Sequence, residues 1–476
     1  MNDVVALPQW LLLVLIVLAA WAVFDHLLRP LLSWVASNRG DLVIEEVSDR
    51  LRIGIRPFQR TPREALIGRL VADPRVLHAA EVFAAERHIQ VRQALATVER
   101  YAREIVPAFN AYLYFRIGYW LGRRVARRLY RVRVGSVERQ ALARVNPNDA
   151  VVFVMNHRSN MDYILVGYVV AEQTALSYAV GEWAQIWPLS TLIRAMGAYF
   201  VRRNSRDELY RRVLERYIAM ATEAGVPQAV FPEGGLSRDG TLREPKLGVL
   251  DYMMRGFRLD GERDLVFVPI GLNYDRVLED RTQLLWLNQE RPQTGRAMTV
   301  WRTARFFARN LRQMMRSEWH RFGYACMNIG EPISTRQYCR THDLDFSRLG
   351  KEERRRHMAT LGHQLMDAVR RVIPVLPVPL IATVFVQRPS GAFSELELKA
   401  ETERLVEALE RAGARIYIPR RDLDYAITVG LRMLRLRRLV DQRDGLFSAR
   451  QEELPVLSYY ANSIGHLLAA AEPVQR

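Results

Sequence analysis

Between Ala150 and Tyr274 the chain alternates strand-like apolar runs with helical patterns, and this alternation limits the fold more than any other feature. AVVFVMN, starting at Ala150, reads as a buried strand, MDYILVGYVVAE as a helix, ALSYAV as a strand, WPLSTLIRAM as a helix and AYFVRR as a strand. DELYRRVLERYIAMATEAG then reads as a capped helix, PQAVFPEG as a strand, GVLDYMMRGF as a helix and DLVFVPIGLNY as a further strand. Strands that take turns with helices specify an α/β fold, here a mixed sheet wrapped by helices. Open sheets of this kind bind ligands beyond the strand ends. The turns after the strands are therefore where chemistry is expected.

The flanks differ in character. From Pro62 to Arg131 the pattern is helical, with long polar and apolar periods and few breakers. Its last part, AYLYFRIGYWLGRRVARRLYR, mixes aromatic residues with arginines. That mixture fits two arrangements equally, a helix lying in a membrane interface or a helix packed on the protein with solvated arginines. IPVLPVPL, with Pro374, Pro377 and Pro379, marks a boundary before a mainly helical C-terminal part. A chain of 476 residues exceeds one ordinary core. The expected division is a membrane-anchor segment over 1–35, a helical region over 62–131, a catalytic unit over 132–373 and a helical region over 374–476.

Leu7 to Phe24 carries no charge and is long enough for a short membrane-crossing helix. A signal peptide is the rival reading, but Asp3 precedes the stretch and no Lys or Arg does. Arg29, Arg39, Arg50, Arg52 and Arg56 follow it, which places the body of the protein on the cytoplasmic face of a membrane. The net charge of +17 asks for an anionic partner, and nucleic acid, acidic lipid and phosphorylated metabolite all qualify. No nucleic-acid-binding module accompanies the charge. Cys326 and Cys339 are the only cysteines and form no CxxC or Cys/His cluster, so neither a disulfide framework nor a metal site is expected.

Two turns hold the chemistry. Asn156 to Asp162, NHRSNMD, lies between a strand and a helix. Deprotonating an alcohol calls for a base near neutrality, which His157 supplies, and a carboxylate on its other ring nitrogen, Asp162, fixes the tautomer. Phe231 to Gly248, FPEGGLSRDGTLREPKLG, follows another strand. Gly234, Gly235 and Gly240 let a ligand approach the main chain, while Ser237, Arg238 and Lys246 offer donors to phosphate oxygens. Glu233 suits a substrate hydroxyl or an arginine better than a phosphate. GAYFVRR puts Arg202 and Arg203 at a strand end, where alternation lets only one of them face a common pocket. Pro269, in VPIGLNY, reads as a strand terminus.

NHRSNMD, GAYFVRR, FPEGGLSRDG and FVPIGLNY, in that order, resemble the four acyltransferase blocks of the glycerolipid acyltransferase family. HRSNMDY and EGGLSRDGTLREPKLG look most like its glycerol-3-phosphate 1-O-acyltransferase branch, and the likeness continues through NIGEPI and SYYANSIGHLL, from about Asp73 to Leu468. The resemblance implies direct transfer of a fatty acyl group from acyl-CoA or acyl-carrier protein to the sn-1 hydroxyl of glycerol 3-phosphate. It implies no further cofactor and no covalent acyl-enzyme. His157 would be the base and Asp162 its partner. Arg203 or Arg202, with Glu233, Gly234, Ser237, Arg238 and Lys246, would bind the acceptor, and Pro269 would shape the acyl site. Where the family loop often reads EGGRSRTGR, this chain has Leu236 and Thr241 at the outer arginine positions. Dihydroxyacetone phosphate or a lysophospholipid is then an alternative acceptor, and a membrane-associated homologue without activity is the alternative to an enzyme.

Overall fold

The computed structural model describes residues 51, 53–181, 189–202, 205–288 and 322–471. The apolar stretch Leu7 to Phe24 and Arg203 lie outside the described residues. Among the described residues no helix is long and apolar enough to cross a membrane.

The helical run opens with α1 (Arg63–Val71), α2 (Pro74–Glu86) and α3 (Val91–Ile105). Asp73 starts α2 by accepting from the Arg75 amide at 3.0 Å, with Pro74 at the first helical position. A π-turn over Leu113–Gly118 leads into α4 (Tyr119–Leu129). The strands then follow: β1 (Arg131–Val137), β2 (Ala150–Met155), β3 (Ser177–Gly181) and β4 (Tyr199–Val201), with α5 (Met161–Val170) between β2 and β3. α6 (Glu208–Glu223), capped by Asp207, precedes β5 (Gln228–Val230) and the ten-residue β6 (Leu265–Tyr274). β7 (Tyr324–Ile329) and the short β8 (Ile333–Ser334) complete the sheet.

Its order is β1-β7-β6-β2-β5-β3-β4, with β8 also paired to β6. The run from β6 to β4 is parallel, and β7 meets β6 antiparallel, so the sheet is mixed as expected. Three strands of this sheet escape the sequence reading: β1, whose arginines face outward at the sheet edge, β7, its parallel partner, and the short β8. β6 runs on through Pro269 instead of stopping there. Its free edge pairs β8 at Val266 and Phe267 and β7 from Ile270 to Tyr274, so Pro269 occupies the change of partner, where a missing N–H is tolerated.

Both faces of the sheet are covered. Val151, Phe153 and Met155 point into one apolar cluster, and Ala150, Val152 and Val154 into the other, by the two-residue period of a strand. The second cluster takes in α1, α2, α3, α6 and α7 (Lys351–Arg371). The first takes in α5 together with α8 (Pro377–Gln387), α9 (Glu395–Arg411), α10 (Leu423–Leu436) and α11 (Leu454–Ala471). Residues on the two sides of Pro374 thus share one core. The C-terminal part also holds a small three-stranded antiparallel sheet, with Val440–Arg443 and Leu446–Ala449 as its hairpin.

Candidate active site

β2 ends at Met155, and NHRSNMD carries the chain into α5. Asn156 continues the β2–β6 ladder with its side chain, donating to the Leu272 carbonyl at 2.9 Å and accepting from the Leu272 amide at 2.8 Å. The chain can therefore turn away without losing its neighbour. Asp162 lies in the first turn of α5, and its Oδ2 folds back to accept from the Arg158 amide at 2.7 Å and the Ser159 amide at 3.0 Å. The same oxygen lies 2.9 Å from Nδ1 of His157. The five-residue spacing closes this ring because the turn supplies two backbone donors to hold the carboxylate. With the Nδ1–H donating to Asp162, Nε2 carries the lone pair.

The pair is buried, His157 at 2% exposure and Asp162 at 0%. The imidazole stacks on Phe231 at 4.1 Å between ring centres and meets the edge of Tyr163 at 5.4 Å. A fourth donor reaches the carboxylate from β6: the Tyr274 hydroxyl donates to Oδ1 at 2.5 Å. Burial and the Asp162 charge hold that phenol well above its ordinary pKa, so it stays a donor. Tyr274 was not singled out in the sequence. Because Met155 pairs with Ile270, β6 overshoots β2 by four residues and brings Tyr274 alongside the turn. Further along the turn, the Ser159 hydroxyl at 2.7 Å and the Asn160 side-chain amide at 3.0 Å donate to Glu279, whose pKa burial raises.

The glycine-rich loop is tied to this turn from below. Glu233, 1% exposed, accepts from the His157 amide at 2.8 Å and the Arg243 amide at 3.1 Å. Burial pushes its carboxyl up to about 7 against the pull of those amides. It binds the Arg243 backbone, not an arginine side chain. The Ser237 amide donates to the His157 carbonyl at 3.0 Å, and the Ser237 hydroxyl bridges the Gly240 amide and the Thr241 carbonyl. Buried Arg158 donates to the Gly240 carbonyl and lies 5.2 Å over the Tyr459 ring. Gly240 has φ +91°, and a Cβ there would lie 1.9 Å from the Tyr459 carbonyl oxygen, so only glycine fits beneath α11. Asn462 closes the same contact by donating to the Asp239 carbonyl at 2.9 Å.

A cavity of about 370 Å³ opens against His157. Val180, Val201, Leu214, Val230, Phe231 and Leu250 give it apolar walls, and Arg202, Arg211 and Lys246 bring cations to it. Of the expected acceptor-binding residues, Arg202, Gly234 and Lys246 line this cavity. The Arg202 guanidinium is already engaged, its Nε 2.8 Å from Glu104, and it stacks between Tyr101 and Tyr210. Glu233 and Ser237 brace the loop from within, Arg238 is exposed, and Pro269 lies in mid-strand; none of the four is on the cavity wall. Arg211, on the outer side of α6, was missed because its helix reads as an ordinary capped one. A larger cavity, about 560 Å³, lies between α2 and α6, but neither motif turn reaches it. Its Arg216 and Arg255 are held by Asp73 and Glu223 and by Asp251 and Glu215.

Two family models match the chain: Acyltransferase over residues 136–273, and Glycerol-3-phosphate acyltransferase C-terminal region over residues 308–471. Among curated relatives, the glycerol-3-phosphate acyltransferase of Xanthomonas campestris is 27% identical over 461 residues, covering 90% of this chain and 49% of its own. That of Pseudomonas aeruginosa is 27% identical over 424 residues, covering 86% and 49%. That of Actinobacillus succinogenes is 25% identical over 426 residues, covering 85% and 50%. The chain spans about half the length of the curated relatives it matches. Among solved structures, the 1-acyl-sn-glycerophosphate acyltransferase of Thermotoga maritima overlaps 53% of this chain and 78% of its own at 17% identity, with a TM-score of 0.31, a likeness too distant to bear on the fold.

Proposed function

We propose that the chain is a member of the glycerol-3-phosphate acyltransferase family, a reading supported by the two matched family models and the curated relatives, and that it transfers a fatty acyl group from a thioester to the sn-1 hydroxyl of glycerol 3-phosphate. The observation that carries this reading is the buried His157–Asp162 hydrogen bond beside a cavity with apolar walls and three cations. His157 Nε2 takes the acceptor's hydroxyl proton as the oxygen attacks the thioester carbonyl. The C–O bond forms, the C–S bond breaks, and the imidazolium returns its proton to the leaving thiolate. Asp162 keeps the ring oriented throughout. Lys246 and Arg211 attract the acceptor's phosphate, while the apolar walls exclude water from the thioester. Acyl-CoA and acyl-carrier protein both present the required thioester.

Membrane association on the cytoplasmic face goes with this chemistry, since the acyl product is amphipathic. The apolar Leu7 to Phe24 and the arginines after it support that placement.

A second acceptor class is favoured by one feature. The tip of the loop turns from the cavity: Arg238 and Thr241 are exposed, and the Thr241 hydroxyl donates to Asp239 at 2.7 Å. Dihydroxyacetone phosphate or a lysophospholipid therefore competes with glycerol 3-phosphate as the acceptor. The purified chain given one labelled acyl-CoA and each acceptor in turn decides between them. The primary reading predicts strong preference for glycerol 3-phosphate, and a preference for another acceptor replaces it.

A further inference from the structure

We infer that the outer face of α4 and of the π-turn before it is the surface on which the protein meets an anionic lipid bilayer. Ile117, Trp120 and Leu121 are 37%, 56% and 42% exposed, and they share that face with exposed Arg124, Arg127 and Arg128, at helical spacings of three and four. Arg116 and Arg123 are exposed beside them. No Asp or Glu occurs between Leu113 and Leu129. An apolar trio at one end of a wholly basic face is the composition of a helix that lies in a headgroup layer, with the side chains sunk toward the acyl region and the guanidinia on the phosphates. The Arg124 guanidinium rests 5.6 Å over the Trp120 ring, which keeps both at the same depth.

The opposite face of the helix is committed to the protein, so this face is left for a partner. Ala126 and Leu129 are buried, Tyr119 lies 5.7 Å from Tyr168 of α5, and Gly122 sits against Ile164. The chain also arrives here from its apolar N-terminal segment. Ile55, close to the start of the described residues, packs with Tyr114, Phe115 and Tyr119 at the head of α4. A segment anchored in lipid would therefore join the body of the protein beside this face. Ile164 is two positions beyond Asp162 on α5, which sets the lipid surface one helix behind the catalytic pair. A nucleic acid would neutralise the arginines but leave Ile117 and Leu121 in water, whereas a bilayer takes up both.

Cys326 and Cys339 are buried, so a single introduced cysteine can carry an environment-sensitive fluorophore on the 476-residue chain. The label is placed at Leu121→Cys and, as a control on α9, at Leu396→Cys, a site 78% exposed. Each protein is reconstituted in vesicles of phosphatidylcholine, alone or mixed equally with phosphatidylglycerol. We expect a blue-shifted, brighter emission at position 121 in the mixed vesicles and a water-like signal at 396. Changing Arg123, Arg124, Arg127 and Arg128 together to Gln should raise the phosphatidylglycerol fraction needed for a half-maximal signal several-fold, while acyl transfer in detergent micelles is kept. A water-like signal at 121, equal signals at 121 and 396, or the same shift at 121 with a soluble polyanion in place of vesicles would overturn the inference. None of these outcomes depends on which acceptor the enzyme uses.

Discussion

Asp162 receives four donors, from His157 Nδ1, two backbone amides and Tyr274, and each fixes one direction of the carboxylate. Removing the Tyr274 hydroxyl leaves Oδ1 short of a donor in a buried place, a cost of about 1–3 kcal/mol. That cost is met in part by a rotated carboxylate and a misaligned imidazole. Tyr274→Phe should therefore lower kcat about tenfold with KM unmoved, the mark of an interaction that matters only in the transition state. A rise in KM with kcat intact would assign Tyr274 to substrate binding instead. The residues of the turn itself were legible, since a strand, a histidine and a carboxylate five positions on form a chemical unit. Tyr274 was not, because a place at the end of a strand says nothing of what it faces, and only the register of β6 against β2 sets it beside Asp162.

α11 acts as a clamp on the glycine-rich loop through Tyr459 and Asn462, and further along it is fastened to α7 through His466. A methyl group at position 240 collides with the Tyr459 carbonyl and takes a backbone conformation that suits glycine, so Gly240→Ala should destabilise the protein by about 2 kcal/mol or more. Urea unfolding checks this, and an unchanged midpoint would show the clamp to be loose. His466 Nε2 lies 3.1 Å from the Arg370 carbonyl, and burial depresses its pKa from 6.5 to about 4. The unfolded chain then binds more protons than the folded one between those values, so stability falls as pH drops through that window. Compared with wild type, His466→Asn should lose less stability between pH 7 and pH 5; equal losses would contradict a reliance of the α11–α7 contact on a neutral imidazole. The SYYANSIGHLL run is visible in the sequence, but its contact with a loop more than two hundred residues earlier is not. The Val440–Ala449 hairpin was missed inside a stretch read as mainly helical, although Asp444 and Gly445, both at positive φ, form a two-residue hairpin turn. β1 was hidden because its RVRV alternation is short and follows directly on the arginine-rich helix, although Val132 does pack against the core.

Across the described residues, a sheet clad on both faces holds the His157–Asp162 turn and the helices that seal it in one packed body. Asp275 shows how the parts are joined. From the end of β6 it accepts from the Tyr324 amide of β7 at 2.8 Å and the Val378 amide of α8 at 3.1 Å, and burial pushes its pKa from 3.8 to about 7. The folded state holds the extra proton in that interval, so this group costs stability as pH rises from about 4 to 7. Asp275→Asn should flatten that part of the stability profile while lowering stability at every pH through the loss of one acceptor, and thermal melts across the range test both signs. The strand-helix alternation made the sheet and its helical cladding legible, because both follow from local periodicity. The seam at Pro374 was not, since the prolines that suggest a boundary start α8, which is buried in the core. The central claim is that a buried histidine, oriented by Asp162, deprotonates the acceptor alcohol. The most direct test is the single-turnover rate of acyl transfer from labelled acyl-CoA to glycerol 3-phosphate, measured for wild type, His157→Ala and Asp162→Asn with folding verified by circular dichroism. The account predicts no detectable transfer for His157→Ala and a loss of about 10²–10⁴-fold for Asp162→Asn; wild-type rates in either folded variant would contradict it.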